Sequence, residues 1–104
     1  RQTAKEIGLD LKEGIYCQFK GPNYESPAEV RAAKILGASA VGMSTGCEAI
    51  AANHMGMKVC GISCITNLAA GMSKQKLDHK EVQETADRVS RQFKQLVTEV
   101  IKTI

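Results

Sequence analysis

The sequence has few aromatic residues and little proline. Among its 104 residues are two tyrosines, two phenylalanines and two prolines, with no tryptophan. It contains no long apolar run and nothing that resembles a signal peptide, so it predicts neither a membrane-spanning helix nor secretion. Its 14 basic and 11 acidic residues leave a net charge of +3 without forming a basic run, which argues against a nucleic-acid partner. The chain opens on Arg1 rather than on methionine, which suggests a fragment or a processed chain.

The cysteines and histidines lack the spacing of a redox or metal site. The four cysteines are Cys17, Cys47, Cys60 and Cys64. None of them forms a Cys-x-x-Cys pair, and neither His54 nor His79 completes a set of zinc ligands. We therefore expect no metal, and reduced, mostly buried thiols in a cytoplasmic protein.

The first half of the chain alternates helix and strand signals. Residues 1–9 are typical of the end of a helix that stops near Gly8, and residues 14–20 form an aromatic, β-branched strand candidate. The sequence Ser-Pro-Ala-Glu at 26–29 is a capping box with proline at the first helical position. It predicts a helix of about ten residues that ends at Gly37.

The alternation continues through the second half. Residues 38–43 and 58–66 are apolar strand candidates. Between them Thr45, followed three residues later by Glu48, predicts the N-cap of a helix that ends at Gly56.

The last helix is predicted to begin at an Asp78 cap and to run to the end of the chain. Its apolar stripe has helical spacing and predicts core residues: Val82, Ala86, Val89, Phe93, Leu96, Val97, Val100, Ile101 and Ile104.

This order of elements predicts an α/β fold, with a parallel or mixed sheet and helices, in one domain over 1–104. Ligands of such sheets bind where strands end and helices begin. Polar residues follow all three predicted strands at that point: Tyr24-Glu25, Met43-Ser44-Thr45 and Thr66-Asn67. Each has a plainer explanation, since Glu25 could be a solvated loop carboxylate, Ser44 or Thr45 an ordinary N-cap, and Asn67 a turn residue.

Four stretches taken together indicate a family. "GPNYESPAEVR", "LGASAVGMST", "ISCITN" and "DHKEV" occur in this order, and from about Gly14 onward the chain resembles the C-terminal part of a purine nucleoside phosphorylase of the trimeric, low-molecular-mass family. The resemblance implies a mixed β-sheet flanked by helices in three αβα layers, and a homotrimer. It also implies cleavage of purine ribonucleosides and deoxyribonucleosides in purine salvage. Inorganic phosphate is then the co-substrate, without a further cofactor, nucleic acid or membrane partner.

The resemblance also implies roles for individual residues. Tyr24 resembles the aromatic residue that packs on purine and sugar, and Glu25 the carboxylate that binds the Watson–Crick edge of the base. Val41 and Met43 resemble walls that contact base and ribose, and Ser44 a phosphate ligand.

Two further residues carry a role by resemblance. Asn67 resembles the amide at the imidazole side of the purine, and His79 the imidazole that contacts the sugar 5′-hydroxyl. With Glu25 they form the expected catalytic set. His79 is equally compatible with a surface histidine at a helix start.

The hydrogen-bonding groups of a purine match the side chains of Glu25 and Asn67. A 6-oxopurine presents N1–H, and in guanine also an N2 amino group, to which an ionised Glu25 offers two acceptor oxygens. The Asn67 amide can donate to O6 and accept from a protonated N7. An aspartate at that position would instead suit the 6-amino group of adenine.

Three points leave alternatives open. No glycine-rich phosphate loop occurs in these residues, so we expect the isolated chain to hold the base-recognition half of a site and to be inactive alone. A methylthioadenosine phosphorylase shares the general layout, but the resemblance then predicts aspartate in place of Asn67. A non-catalytic fragment that acts as a binding or assembly module is a third possibility.

Overall fold

A computed structural model describes residues 1–74, 76 and 78–104. The described elements are α1 (Gln2–Glu6), β1 (Tyr16–Gln18), α2 (Pro27–Ile35), β2 (Ala40–Gly42), α3 (Gly46–His54) and α4 (His79–Thr103). They divide into two compact units. The terminal unit contains Arg1–Glu13 and Asp78–Ile104, and the central unit contains Gly14–Leu77.

The central unit is built on two parallel strands. Tyr16 of β1 lies beside Ala40 of β2, and Gln18 lies beside Gly42. The pairing continues past β1, because the Phe19 N–H donates to the Gly42 carbonyl at 2.8 Å. Parallel strands joined through a helix confirm the predicted α/β class.

Helix α2 has the start and the end that its sequence predicts. The Ser26 Oγ accepts from the Glu29 N–H at 3.3 Å, and the Ser26 N–H donates to Glu29 Oε2 at 2.7 Å, which completes the capping box. At the other end Gly37 has φ +92°, and the Ala38 N–H reaches back to the Ala33 carbonyl at 2.9 Å. This is a Schellman ending, in which the left-handed position favours glycine. The helix buries Val30 and Ala33.

In the terminal unit α1 contacts α4. Ala4 and Leu96 are buried, with 1% and 3% of their surfaces exposed. The predicted cap of α4 is confirmed, since Asp78 Oδ1 accepts from the Lys80 N–H at 3.0 Å. The predicted core stripe is covered only in part: Leu96 is buried, three residues are exposed (Phe93, Ile101 and Ile104), and the other five are half-buried (Val82, Ala86, Val89, Val97 and Val100). Helix α1 has five residues and α4 has 25, so α1 can cover only a short part of the stripe.

The third predicted strand, residues 58–66, is wrong for the described chain. Its residues carry no helix or strand assignment, and most are exposed. A strand exists only through the ladder it forms with a neighbour, and the described sheet has two strands, β1 and β2. Cys60 and Cys64 lie on this segment and are exposed, as is Cys47. The thiols are free as expected, but the expectation that most are buried is wrong.

Two further findings bear on function. Among the described residues no helix combines the length and the apolar character that crossing a bilayer requires. Within the same residues no group of three or more histidine, cysteine, aspartate or glutamate side chains is placed to hold a metal ion.

The capping box of α2 makes the pKa of Glu29 a measure of its formation. The Ser26 backbone N–H, followed by the Ser26 hydroxyl, hydrogen-bonds the Glu29 carboxylate and lowers its pKa below the ordinary value of 4.5. Because the folded-state pKa is the lower one, the box stabilises α2 above the ordinary pKa and is lost as the pH falls through the folded pKa.

We predict that Ser26→Ala raises the pKa of Glu29 toward its ordinary value. Loss of an N-cap side chain also costs about 1 kcal/mol of folding free energy. An NMR titration of the Glu29 carboxyl in the intact protein, with urea unfolding at neutral pH, measures both effects. The Ser26 backbone N–H remains in the variant, so an identical Glu29 titration curve in the two proteins would show that the hydroxyl half of the box does not form in solution.

Candidate active site

The turn after β1 is held against the end of β2. Gly21 has φ +65°, and a Cβ at this position would lie 2.8 Å from the Met43 Sδ and 3.2 Å from its Cγ. Only glycine fits this backbone and this contact without displacing Met43. The predicted site residues Tyr24 and Glu25 follow on this turn, and Met43 lies directly before Ser44, so the ends of β1 and β2 are in contact through Gly21 and Met43.

Glu25 is the most informative residue of this turn. Its surface is 8% exposed, and its buried Oε1 has no hydrogen-bond partner among the described residues. The adjacent Ser26 N–H is already donated to Glu29. A buried acceptor without a partner costs about 1–3 kcal/mol, so a carboxylate oxygen left in this way needs a specific reason. This oxygen can accept a hydrogen bond from a donor on a bound molecule.

The turn after β2 has an unusual backbone. Thr45 has φ 79° and ψ −43°, and the Gly46 N–H donates to the Ser44 carbonyl at 2.9 Å. This is a γ-turn with a left-handed residue at its centre, and such positions cost about 1–3 kcal/mol. The two hydroxyls of Ser44 and Thr45 lie 3.1 Å apart, and both residues are exposed.

The predicted capping of α3 by the Thr45 side chain is wrong. Thr45 makes no side-chain cap bond within the described chain, because its backbone turns away from the extended shape that an N-cap needs. The Cys47 N–H donates instead to Gln18 Oε1 at 2.9 Å. With the Gly46 N–H also taken, these two helix amides are engaged inside the chain. One of the two hydroxyls of Ser44 and Thr45 donates to the other, so one hydroxyl proton remains for a ligand.

Asn67 has a fixed amide orientation. The Thr66 hydroxyl donates to Asn67 Oδ1 at 2.7 Å, and Asn67 Nδ2 donates to the Leu68 carbonyl at 3.0 Å. Each end of the amide keeps further capacity, one lone pair on Oδ1 and one proton on Nδ2. Asn67 can therefore still accept one hydrogen bond from a ligand and donate one to it.

The loop that follows Asn67 lies against the start of α2. A Cβ on Gly71, which has φ +79°, would lie 3.0 Å from the Pro27 Cβ. Pro27 is two residues after Glu25, so the segments that carry Glu25 and Asn67 are in contact. The structure thus joins the first strand end both to the second, through Gly21 and Met43, and to the segment beyond Asn67.

The other predicted site residues are placed as follows. Val41 lies in β2 and is half-buried, while Tyr24 and Met43 are 38% and 36% exposed. His79 is the first residue of α4 and is exposed. It belongs to the terminal unit, and its contact with a sugar stays a prediction.

Two residues near the site were missed by the sequence analysis. Gln18 caps α3, and Thr66 orients Asn67. The sequence does contain a signal for Gln18, because it is an uncharged polar residue among the aromatic and apolar residues of the predicted strand 14–20. Its partner is 29 residues away, which a local pattern does not reveal.

Comparison with known proteins finds similar chains. A sequence profile described as the Phosphorylase superfamily matches residues 1–102. The chain is 50% identical over 98% of its length to a purine nucleoside phosphorylase of Cellulomonas sp. It is 46% identical over 100% of its length to purine nucleoside phosphorylase 1 of Geobacillus stearothermophilus. It spans 36% and 38% of the lengths of these relatives.

A solved structure has the same fold. It is that of schistosoma purine nucleoside phosphorylase in complex with hypoxanthine, which matches 99% of this chain and 38% of its own with a TM-score of 0.91 and 32% identity. The likeness confirms both the α/β fold and the predicted resemblance to purine nucleoside phosphorylases.

The contact between Gly21 and Met43 predicts a difference between two glycine substitutions. Gly21 and Gly56 have φ +65° and φ +75°, but among the described residues a Cβ on Gly56 would meet nothing within 4 Å. In both alanine variants the left-handed backbone lowers the free energy of unfolding by about 1 kcal/mol. Gly21→Ala should lose about 1 kcal/mol more, because it also displaces Met43. Urea unfolding of the intact protein measures the difference, and equal losses in the two variants would contradict the contact.

Proposed function

Because this chain belongs to the Phosphorylase superfamily, we propose that the protein cleaves 6-oxopurine nucleosides with inorganic phosphate. Inosine, guanosine and their deoxy forms are the proposed substrates. The products are the free purine and ribose or deoxyribose 1-phosphate, as in purine salvage. The observation that carries the proposal is the buried Glu25 Oε1, which has no partner among the described residues.

A purine with N–H groups on its Watson–Crick edge satisfies that oxygen. The N1–H of a 6-oxopurine is a donor, and guanine adds its N2 amino group, so a carboxylate can accept from both. Adenine has an unprotonated N1 and would place an acceptor against Glu25. The base hypoxanthine, named with the schistosoma structure, is a 6-oxopurine and supports this choice.

Asn67 serves the opposite side of the purine. Its remaining Nδ2 proton can be donated to O6, and its remaining Oδ1 lone pair can accept from a protonated N7. The Thr66 hydroxyl, 2.7 Å from Oδ1, keeps the oxygen and the nitrogen of the amide from exchanging places. The Nδ2 is thereby oriented to donate to O6 of a 6-oxopurine, and it cannot accept from a 6-amino group.

The reaction follows from the charge that develops on the base. A phosphate oxygen forms a bond to C1′ as the bond from C1′ to N9 breaks, and the purine leaves with the bonding electrons and takes up a proton. Asn67 and Glu25 bind the base as this negative charge accumulates, and no covalent intermediate with the enzyme is required. The Asn67 amide is the donor aimed at this charge, and a preorganised donor of this kind is worth about 3–4 kcal/mol, whereas Glu25 accepts from the N1–H and holds the base in place.

Phosphate is proposed to bind at the turn of Ser44 and Thr45. Their hydroxyls are exposed and lie 3.1 Å apart. Two hydroxyls do not neutralise a phosphate, so further ligands are needed. The chain spans 36–38% of the lengths of its relatives, and we propose that parts of the protein beyond this chain supply those ligands.

Glu25→Gln provides the first test, with phosphate-dependent release of hypoxanthine from inosine by the intact protein as the assay. The variant keeps the shape of the side chain but replaces a charged acceptor of the N1–H by an amide, and kcat/KM should fall up to about a hundredfold. Its melting temperature should stay equal or rise, since an unpartnered buried carboxylate is removed.

The control for this test is Glu84→Gln, which alters an exposed glutamate of α4 and should keep activity. No inosine cleavage by the unaltered protein would refute the function. A Glu25→Gln variant that loses stability but keeps activity would assign Glu25 to the scaffold.

Asn67→Asp tests the selection of the base. The carboxylate can accept from the 6-amino group of adenine but cannot donate to O6 while ionised. The ratio of kcat/KM for inosine to kcat/KM for adenosine should fall by about tenfold or more. Asn53→Asp is the matched control, because it places the same change at an exposed position of α3. An unchanged ratio in Asn67→Asp would remove Asn67 from base recognition.

A further inference from the structure

The Thr45 turn is held in place by a side chain from the neighbouring strand. Among the described residues Thr45 is the one non-glycine residue with a positive φ. A β-branched residue does not adopt this conformation without support from its surroundings. The internal bond from the Gly46 N–H to the Ser44 carbonyl closes the turn but does not attach it to anything else.

Gln18 makes that attachment. Its Oε1 accepts from the Cys47 N–H at 2.9 Å, and its Nε2 makes a longer contact of 3.5 Å with the Met43 carbonyl. Met43 and Cys47 lie immediately before and after the three turn residues Ser44, Thr45 and Gly46. One carboxamide therefore bridges the entry and the exit of the turn, and the shorter of its two bonds holds the exit.

The sheet register brings Gln18 to this position. Gln18 pairs with Gly42, one residue before Met43, so its side chain can extend past the end of β2. Gly46 leaves room for it: a Cβ on Gly46 would lie 2.8 Å from Gln18 Oε1 and 3.1 Å from the Gln18 Cβ. Glycine at the first position of α3 and glutamine at the end of β1 form a matched pair.

We propose that Gln18 is a positioning residue for phosphate: by bridging Met43 and Cys47 it fixes the turn that carries the Ser44 hydroxyl. The inference rests on the proposed function, because Ser44 acts on phosphate only in that reaction. Gln18 itself uses its acceptor on Cys47 and does not need to touch the substrate. Loss of the Gln18 bridge should therefore weaken the binding of phosphate and leave the binding of the nucleoside unchanged.

The test is the steady-state kinetics of the intact protein with Gln18→Met and with Gly46→Ala. Methionine keeps the length of the side chain but cannot bridge the turn. An alanine Cβ at position 46 pushes the Gln18 carboxamide away, although alanine favours a helix more than glycine does. Both variants should raise the KM for phosphate roughly tenfold and leave the KM for inosine within about twofold.

The two variants separate positioning from stability. Gln18→Met should lower the melting temperature more than Gly46→Ala, in which the helix preference of alanine offsets part of the lost bond, whereas the shift in the phosphate KM should be common to both. Loss of folded protein alone lowers the apparent kcat without changing a KM. Gln92→Met, at an exposed position of α4, is the matched control and should leave both KM values as they are.

The outcomes distinguish failure of the proposed phosphorolysis from failure of the positioning role of Gln18. Unaltered protein that does not cleave inosine overturns the proposed function, and the role of Gln18 fails with it. Active unaltered protein with an unchanged phosphate KM in both variants overturns the role of Gln18 alone. An equal rise of both KM values does the same, since it shows a general distortion. A rise for phosphate alone in both variants supports the inference.

Discussion

The register of β1 on β2 is the constraint on which the candidate site depends. Because Gln18 lies beside Gly42, the two strands end at the same level, and the turns that follow them meet where Gly21 faces Met43. A shift of one residue would turn the side chains of β1 to the opposite face of the sheet. Gln18 would then lose Cys47. A ladder of two short strands thereby determines the positions of both turns.

Unfavourable local features are concentrated at this edge, while the scaffold around it is well satisfied. The capping box at Ser26 directly follows Glu25 and provides partners for its own donors and acceptors, yet Glu25 Oε1 has none among the described residues. The glycines that end α2 and α3 carry positive φ at no steric cost, whereas Thr45 carries it with a β-branched side chain. No contact among the described residues accounts for the unpartnered Glu25 Oε1, and departures of this kind are the positions at which a functional role is expected.

How much the sequence predicted depended on where the deciding partner lies. The caps of α2 and α4 and the ending at Gly37 were predictable, because every group that makes them is within a few residues. The cap of α3 was not, because Gln18 competes with Thr45 from another strand. The motif assigned Glu25 to the site, but its unpartnered oxygen appears only once the backbone is folded.

Burial was the least predictable property, for a related reason. The stripe of α4 has the period of a core helix, but the surface offered to it decides how much is covered, and α1 has only five residues. Residues 58–66 have the composition of a strand, and the described sheet provides no ladder for them. A pattern gives a residue's preference for burial, and packing partners decide whether that preference is met.

The hydrogen bonds of Asn67 bear on the proposed base selection, because they show what an aspartate at this position would keep and what it would lose. The Thr66 hydroxyl donates to Asn67 Oδ1, and it would donate equally well to the same oxygen of an aspartate. The bond that an aspartate loses is the one from Nδ2 to the Leu68 carbonyl, where two oxygens would repel each other and rotate the carboxylate. The second oxygen of the carboxylate can then accept from an amino group. In the proposed function, selection of a 6-oxopurine therefore depends on the Asn67 Nδ2, and an aspartate at this position would keep the bond from the Thr66 hydroxyl.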